Sequence, residues 1–216
     1  MLLSIGSLSA TPARAGERTF MDWRSLRDQG LVRQQYDYSC GLAALATLLS
    51  GHYGLPVDEK SLLDRLDLPD PESREALRSR GVSLALIAQL AGGFGLRARG
   101  LRVPTAALSN LRLPAIAYVE DRGEPHFTVV RGVDASGWIQ LADSAWGNRL
   151  LSPAQFRRLF ATDEEGRGRL LLVLPGADTG SSSAAVRKNW FRISRGRPLL
   201  QPDAVPRTLL APLQLL

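Results

Sequence analysis

The chemistry in this sequence gathers around one sulfur atom. Cys40 is the only cysteine in 216 residues. It follows Gln34-Gln35-Tyr36-Asp37-Tyr38-Ser39 and precedes Gly41 and the helix-forming run Leu42-Ala43-Ala44-Leu45-Ala46-Thr47-Leu48-Leu49. That run predicts a buried helix with Ser39 as its N-cap and Cys40 as its first residue. A thiol placed there feels the positive end of the backbone dipole, and first-turn N–H groups can face a developing oxyanion. These are requirements of a cysteine nucleophile in acyl transfer. The same position also suits a small buried hydrophobe, a frequent use of unpaired cysteine.

A nucleophilic thiol needs an imidazole, and the chain has two histidines. His52 lies twelve residues beyond Cys40 on the same predicted helix, or ~18 Å along its axis at ~1.5 Å per residue. That is outside hydrogen-bond reach, so His52 is expected to be a polar helix end, where a protonated histidine is favourable. His126 opens the apolar strand Phe127-Thr128-Val129-Val130, whose end can face the helix start. The turn Asp134-Ala135-Ser136-Gly137 makes a hairpin of the segments before and after it and returns Asp143 to the neighbourhood of His126. Asp143 is therefore the expected orienting carboxylate. Its competing role is to cap the loop Asp143-Ser144-Ala145-Trp146-Gly147. Asp134 sits in the turn at the far end of the hairpin and is the weaker choice.

The elements that must hold these groups follow from periodicity. Phe20 to Gln29 has a short helical pattern closed by Gly30, and Leu31 to Tyr36 is extended. The Cys40 helix runs to about Tyr53 and ends at Gly54. Asp58 caps a short helix to Leu66, residues 72 to 80 form a charged helix, and Ser83 opens another through Ala91. The period then changes. Leu96 to Val103 alternates apolar and basic residues, and Pro114–Glu120, His126–Val133, Gly137–Ala142 and Arg169–Leu174 are further strands. Ser152-Pro153 starts a short helix to Phe160. Helices followed by an antiparallel sheet make an α+β domain.

Composition bounds the rest. A hydrophobic content of 44% supports one proper core, and no apolar run reaches the roughly 18 to 20 residues that span a bilayer. Of the net charge of +6, residues 176–216 supply +4 through Arg187, Lys188, Arg192, Arg195, Arg197 and Arg207 against Asp178 and Asp203. The remainder is nearly balanced, which argues against nucleic acid as a partner. No cluster has metal-ligand spacing, and no cofactor is implied. Leu2–Ala10 followed by Ala13-Arg14-Ala15 has the form of a cleaved signal peptide over residues 1–15. It lacks a basic n-region, as a start codon placed too late would explain. The chain is thus expected to be exported, periplasmic or extracellular, where a lone thiol is more naturally reactive than structural. Residues 176–216 are expected to be a basic extension rich in proline and leucine, linker-like and open to an envelope or secretion-system partner.

Two stretches together resemble the peptidase C39 family of papain-like cysteine proteases. They are Gln34 through Cys40-Gly41, Ala43-Ala44 and Tyr53-Gly54, then His126-Phe127-Thr128-Val129-Val130, Gly132, Leu141-Ala142-Asp143 and Gly147. The resemblance spans roughly residues 28 to 175, within a domain of 20–175. It implies a papain-like fold, with a helical half packed on an antiparallel sheet. It further implies Cys40 as nucleophile, His126 as general base and acid, Asp143 as orienting carboxylate and Gln34 as oxyanion donor, the spacing favouring Gln34 over the adjacent Gln35. Transporter members of the family carry membrane spans and a nucleotide-binding half, which this sequence does not show. Where the family pattern has Asp-Pro, this chain has Asp143-Ser144, so the acid loop lacks a proline's rigidity. The implied activity is an exported endopeptidase acting on a peptide or protein. The alternatives are a non-catalytic peptide-binding module and a cysteine amidase or transpeptidase of the cell envelope.

Overall fold

The computed structural model describes residues 22–160 and 162–176. The predicted signal peptide and the extension beyond Gly176 lie outside the described residues. A run of helices comes first: α1 (Trp23–Arg27), α2 (Cys40–His52), α3 (Glu59–Leu63), α4 (Pro71–Arg80) and α5 (Leu84–Gly92). Strands β1 (Leu96–Pro104), β2 (Ala115–Asp121), β3 (Glu124–Val133), β4 (Ile139–Asp143), β5 (Gly147–Leu151) and β6 (Arg167–Pro175) follow, with α6 (Pro153–Leu159) before the last. They form one sheet in the order β1-β6-β2-β3-β4-β5, every neighbouring pair antiparallel. This is the expected α+β architecture.

The centre of the molecule is α2. Leu42, Ala43, Ala44, Leu45, Ala46, Leu48 and Leu49 are all fully buried, as a helix apolar on every side must be. It packs against β3, α3 and α5, in a cluster with Ile87, Ile116, Phe127, Val129, Leu171 and Val173. At its far end the Tyr53 hydroxyl donates to the Val173 carbonyl of β6 at 2.6 Å. A second cluster containing Val119, Val130, Leu141, Phe156, Phe160 and Leu170 takes the alternate strand residues and so lies on the other face of the sheet. Successive residues Phe127, Thr128, Val129 and Val130 are buried on β3. Cover on both faces explains why that strand is continuously apolar while edge strand β1 alternates.

Several boundaries differ from expectation. The first helix is confined to Trp23–Arg27, capped by Asp22, which accepts from the N–H groups of Arg24 and Ser25 at 2.8 and 3.1 Å. Strand β5 and a 3-10 turn at Thr105–Asn110 are additional. β5 exists because the tight turn after Asp143 folds the chain back onto β4, pairing Asp143 with Gly147. His52 also departs from expectation, being only 2% exposed at the end of α2. Burial pushes its imidazole below the ordinary value, so it favours the neutral form rather than a charged helix end.

Candidate active site

Cys40 begins α2 and is half-buried with a free thiol. Ser39 precedes the helix but does not cap it with its side chain. Its hydroxyl instead lies 2.7 Å from the Tyr36 carbonyl and beside the Glu59 carboxylate, with one proton to give to either acceptor. The expected cap is thus replaced, and the Ser39 side chain leaves the first-turn N–H groups around Cys40 unoccupied. Gly41 lets this tip come close to its surroundings. A Cβ at that position would stand 2.2 Å from Val82 Cγ2, 2.8 Å from Ile87 Cδ1 and 3.1 Å from the Phe127 ring.

His126 lies near the start of β3, next to Phe127. Its Nε2 is 3.1 and 3.2 Å from the two carboxylate oxygens of Asp143, and the Cys40 side chain is near enough to the ring to help raise its pKa. With Nε2 taken by the acid, Nδ1 is the atom left for the thiol. Thiol, imidazole and carboxylate therefore form one line, contributed by α2, β3 and β4.

The alignment of His126 with Asp143 depends on one extra residue. Val133 pairs with Ile139 and Gly132 with Gln140, but Val130 pairs with Leu141 and Val129 with Ala142. Arg131 is the inserted residue of a β-bulge. Continuing the shifted register by one step sets Thr128 opposite Asp143. Because side chains alternate, Thr128 and His126 share a face. Without the bulge Asp143 would oppose Val129 and point to the other face.

Asp143 makes the contacts of both roles considered for it. Its Oδ1 accepts from the N–H groups of Ala145 and Trp146 at 2.9 and 2.8 Å while the carboxylate meets His126. Burial, the strongest single influence, pushes this carboxyl up. His126, the Trp146 N–H and the neighbouring Thr128 hydroxyl together outweigh burial and hold it below the ordinary carboxylate value. For His126 the largest influence is again burial, which pushes the ring down. Hydrogen bonds and charge from Asp143 and Cys40 overcome it and raise the imidazole to about 10. At neutral pH the ring therefore holds its proton, the state an imidazolium–thiolate pair requires.

The acid loop is anchored despite lacking proline. Ser144 is fully buried, and its carbonyl accepts the Gln34 N–H at 3.0 Å. The Val32 N–H reaches Thr47 of α2 at 2.9 Å, so the segment carrying Gln34 is bound to both α2 and the acid loop. The half-buried Gln34 amide donates through Nε2 to the Tyr36 carbonyl at 2.7 Å and lies 3.4 Å from that of Asp37. These partners belong to the loop before Cys40, not to the Cys–His–Asp line. Gln35 is exposed, and its backbone N–H turns to Glu59. Asp134 accepts from Ser136 and Trp138 in the distant turn, away from this line. Among the described residues no group of three or more acidic, His or Cys side chains could hold a metal ion, and no helix is long and apolar enough to cross a membrane.

One buried group went unnoticed in the sequence. Glu59, fully buried at the first position of α3, accepts from the Gln35 N–H at 2.9 and 3.2 Å and contacts the Ser39 hydroxyl. Nothing local signals this, since an acid just after the Asp58 cap fits a solvated helix start.

Known proteins share this arrangement of elements. The peptidase domain of Streptococcus ComA, a bifunctional ABC transporter of a quorum-sensing pathway, superposes with a TM-score of 0.51 at 21% identity, covering 68% of this chain and 98% of that one. In sequence, the chain is 36% identical over 160 residues to "Probable functional amyloid protease FapD" of Pseudomonas aeruginosa, 70% of this chain and 69% of the relative. The Pseudomonas fluorescens protein of the same name is 30% identical over 154 residues, covering 70% and 67%. The model of the Peptidase C39 family matches residues 28–163, a span that begins before the thiol and ends well beyond Asp143. The chain therefore belongs to the peptidase C39 family and is a cysteine-type peptidase.

Proposed function

We propose that this peptidase cleaves an exported polypeptide through an acyl-enzyme on Cys40. The observation that carries the reading is the His126 imidazole, held by both oxygens of Asp143 and neighboured by the Cys40 side chain at the start of α2. The thiolate attacks the peptide carbonyl carbon, and the carbonyl oxygen becomes an oxyanion. The Cys40 N–H and the Gln34 amide stabilise that charge, Gln34 turning one Nε2–H from its loop carbonyls toward the substrate. Collapse of the tetrahedral intermediate breaks the C–N bond as His126 gives its proton to the leaving amine. Water then attacks the thioester, His126 takes its proton, and the carboxylic product leaves with the thiolate restored. Asp143 keeps the ring oriented and its charge stabilised throughout.

The substrate reading follows from the relatives named functional amyloid proteases, and we extend it to a polypeptide of a functional-amyloid system. The signal-like residues 1–15 support action outside the cytoplasm. Comparing protein N-termini in a deletion strain and its parent tests both points, since an unchanged set of exported N-termini would refute them. The chemical step is tested by substitution. Cys40→Ala abolishes turnover of the peptide so identified, whereas Gln34→Ala lowers it by about 10²- to 10³-fold, the usual cost of one oxyanion donor. Residual wild-type turnover in Cys40→Ala would refute the mechanism.

A further inference from the structure

We propose that Glu59 is a positioning residue of this site, setting the loop that carries the oxyanion donor against the nucleophile. The inference rests on the roles given above to Cys40 and Gln34. The loop from Gln34 to Cys40 is fastened to the Glu59 carboxylate at both ends. Near its start the Gln35 N–H donates to both carboxylate oxygens at 2.9 and 3.2 Å. At its end the Ser39 hydroxyl meets Oε1. Each anchor adjoins a residue of the proposed chemistry, Gln34 at one end and Cys40 at the other. Between them, the Gln34 amide and the Ser39 N–H and hydroxyl all converge on the Tyr36 carbonyl. The distance from donor to sulfur is therefore set by how this loop closes on Glu59.

Energetics make a merely incidental role a poor explanation. Glu59 is fully buried, and no lysine or arginine pairs with it among the described residues. Taking a carboxylate out of water costs several kcal/mol unless hydrogen bonds replace its hydration. Here the replacements come from the Gln34–Cys40 loop, so the carboxylate and the loop depend on each other. An apolar residue would fill the space at lower cost but would leave the Gln35 N–H and the Ser39 hydroxyl without this acceptor.

Two probes with different geometric demands test this without knowledge of the natural substrate. The thiolate displaces iodide directly from iodoacetamide, a reaction that needs no oxyanion donor. p-Nitrophenyl acetate acylates the thiol through a tetrahedral oxyanion and expels p-nitrophenolate. Glu59→Ala is expected to slow ester acylation by about 10-fold or more while alkylation stays within about twofold of wild type. In a Gln34→Ala background the same substitution adds less than about twofold, because both act on one donor. Glu59→Gln keeps an acceptor for Gln35 and restores acylation to within about threefold. Equal slowing of both probes, full additivity with Gln34→Ala, or wild-type acylation in Glu59→Ala overturns the proposal. Should Glu59→Ala fail to fold, Ser39→Ala decides: slower acylation with unchanged alkylation supports the role, and wild-type acylation refutes it. Release of p-nitrophenolate that persists in Cys40→Ala would instead refute the assignment of the nucleophile, on which the proposal depends.

Discussion

At the scale of single residues, the site works by balancing burial against charge. His126 and Asp143 are each driven toward neutrality by burial and held ionised by the other. Replacing Asp143 with Asn separates the two jobs of that side chain. The amide oxygen still accepts from Ala145 and Trp146, so the loop keeps its shape, but the negative charge beside Nε2 is gone. The His126 pKa should then fall from about 10 toward its ordinary 6.5. Asp143→Asn is accordingly expected to lose about 10²- to 10⁴-fold in turnover. The pH at which iodoacetamide reactivity changes should move with it, and a profile unchanged from wild type would show that Asp143 does not govern the ring. Gly41 makes a steric point instead. Adding a methyl group there drives it into Val82 and Ile87, and overpacking of this kind costs about 1–3 kcal/mol. Gly41→Ala should lower the melting temperature and slow Cys40 alkylation together, since the displaced element carries the thiol.

At the scale of elements, the bulge at Arg131 is the device that turns a hairpin into half of an active site. Deleting Arg131 removes the extra residue and leaves Gly132 opposite Gln140, Val130 opposite Leu141 and Val129 opposite Ala142, so Asp143 stays on the face that carries His126. The prediction is that turnover and the elevated His126 pKa, measured by NMR titration of the ring, both survive the deletion. A deletion variant that folds cooperatively but loses both would refute the parity argument. The same bulge marks where sequence reading stops. The hairpin was legible, because apolar strands flanking Asp134-Ala135-Ser136-Gly137 have one economical pairing. Its register was not, because a bulge is decided by the fit of both faces of β3 to their neighbours. α2 was legible from composition alone. β5 was hidden because Gly147-Asn148-Arg149 has no alternation, and only its pairing with β4 makes it a strand. Glu59 was hidden for a related reason: its partners lie 20 and 24 residues away in sequence. Cys40 and His126 could be named because the chain has one cysteine and two histidines, and Asp143 because the hairpin returns it to His126.

For the whole molecule, the site joins two layers: α2 brings the thiol, and the sheet brings the ion pair of imidazole and carboxylate. Its protonation is therefore linked to folding as well as to catalysis. His126 has a folded pKa raised to about 10 from 6.5. Its contribution to stability is fully present below about 6.5 and declines as pH climbs through about 10. Asp143 is held below its ordinary 3.8, so its contribution is present above that value and is lost as acid protonates it in the folded state. The two groups hold the site ends of β3 and β4 together only between those limits. Thermal unfolding of wild type should show a melting temperature that falls between about pH 6.5 and pH 10. In His126→Gln, which keeps a polar side chain but cannot titrate, that alkaline decline should be markedly shallower. An equally steep decline in both proteins would mean that the His126–Asp143 pair does not carry this linkage.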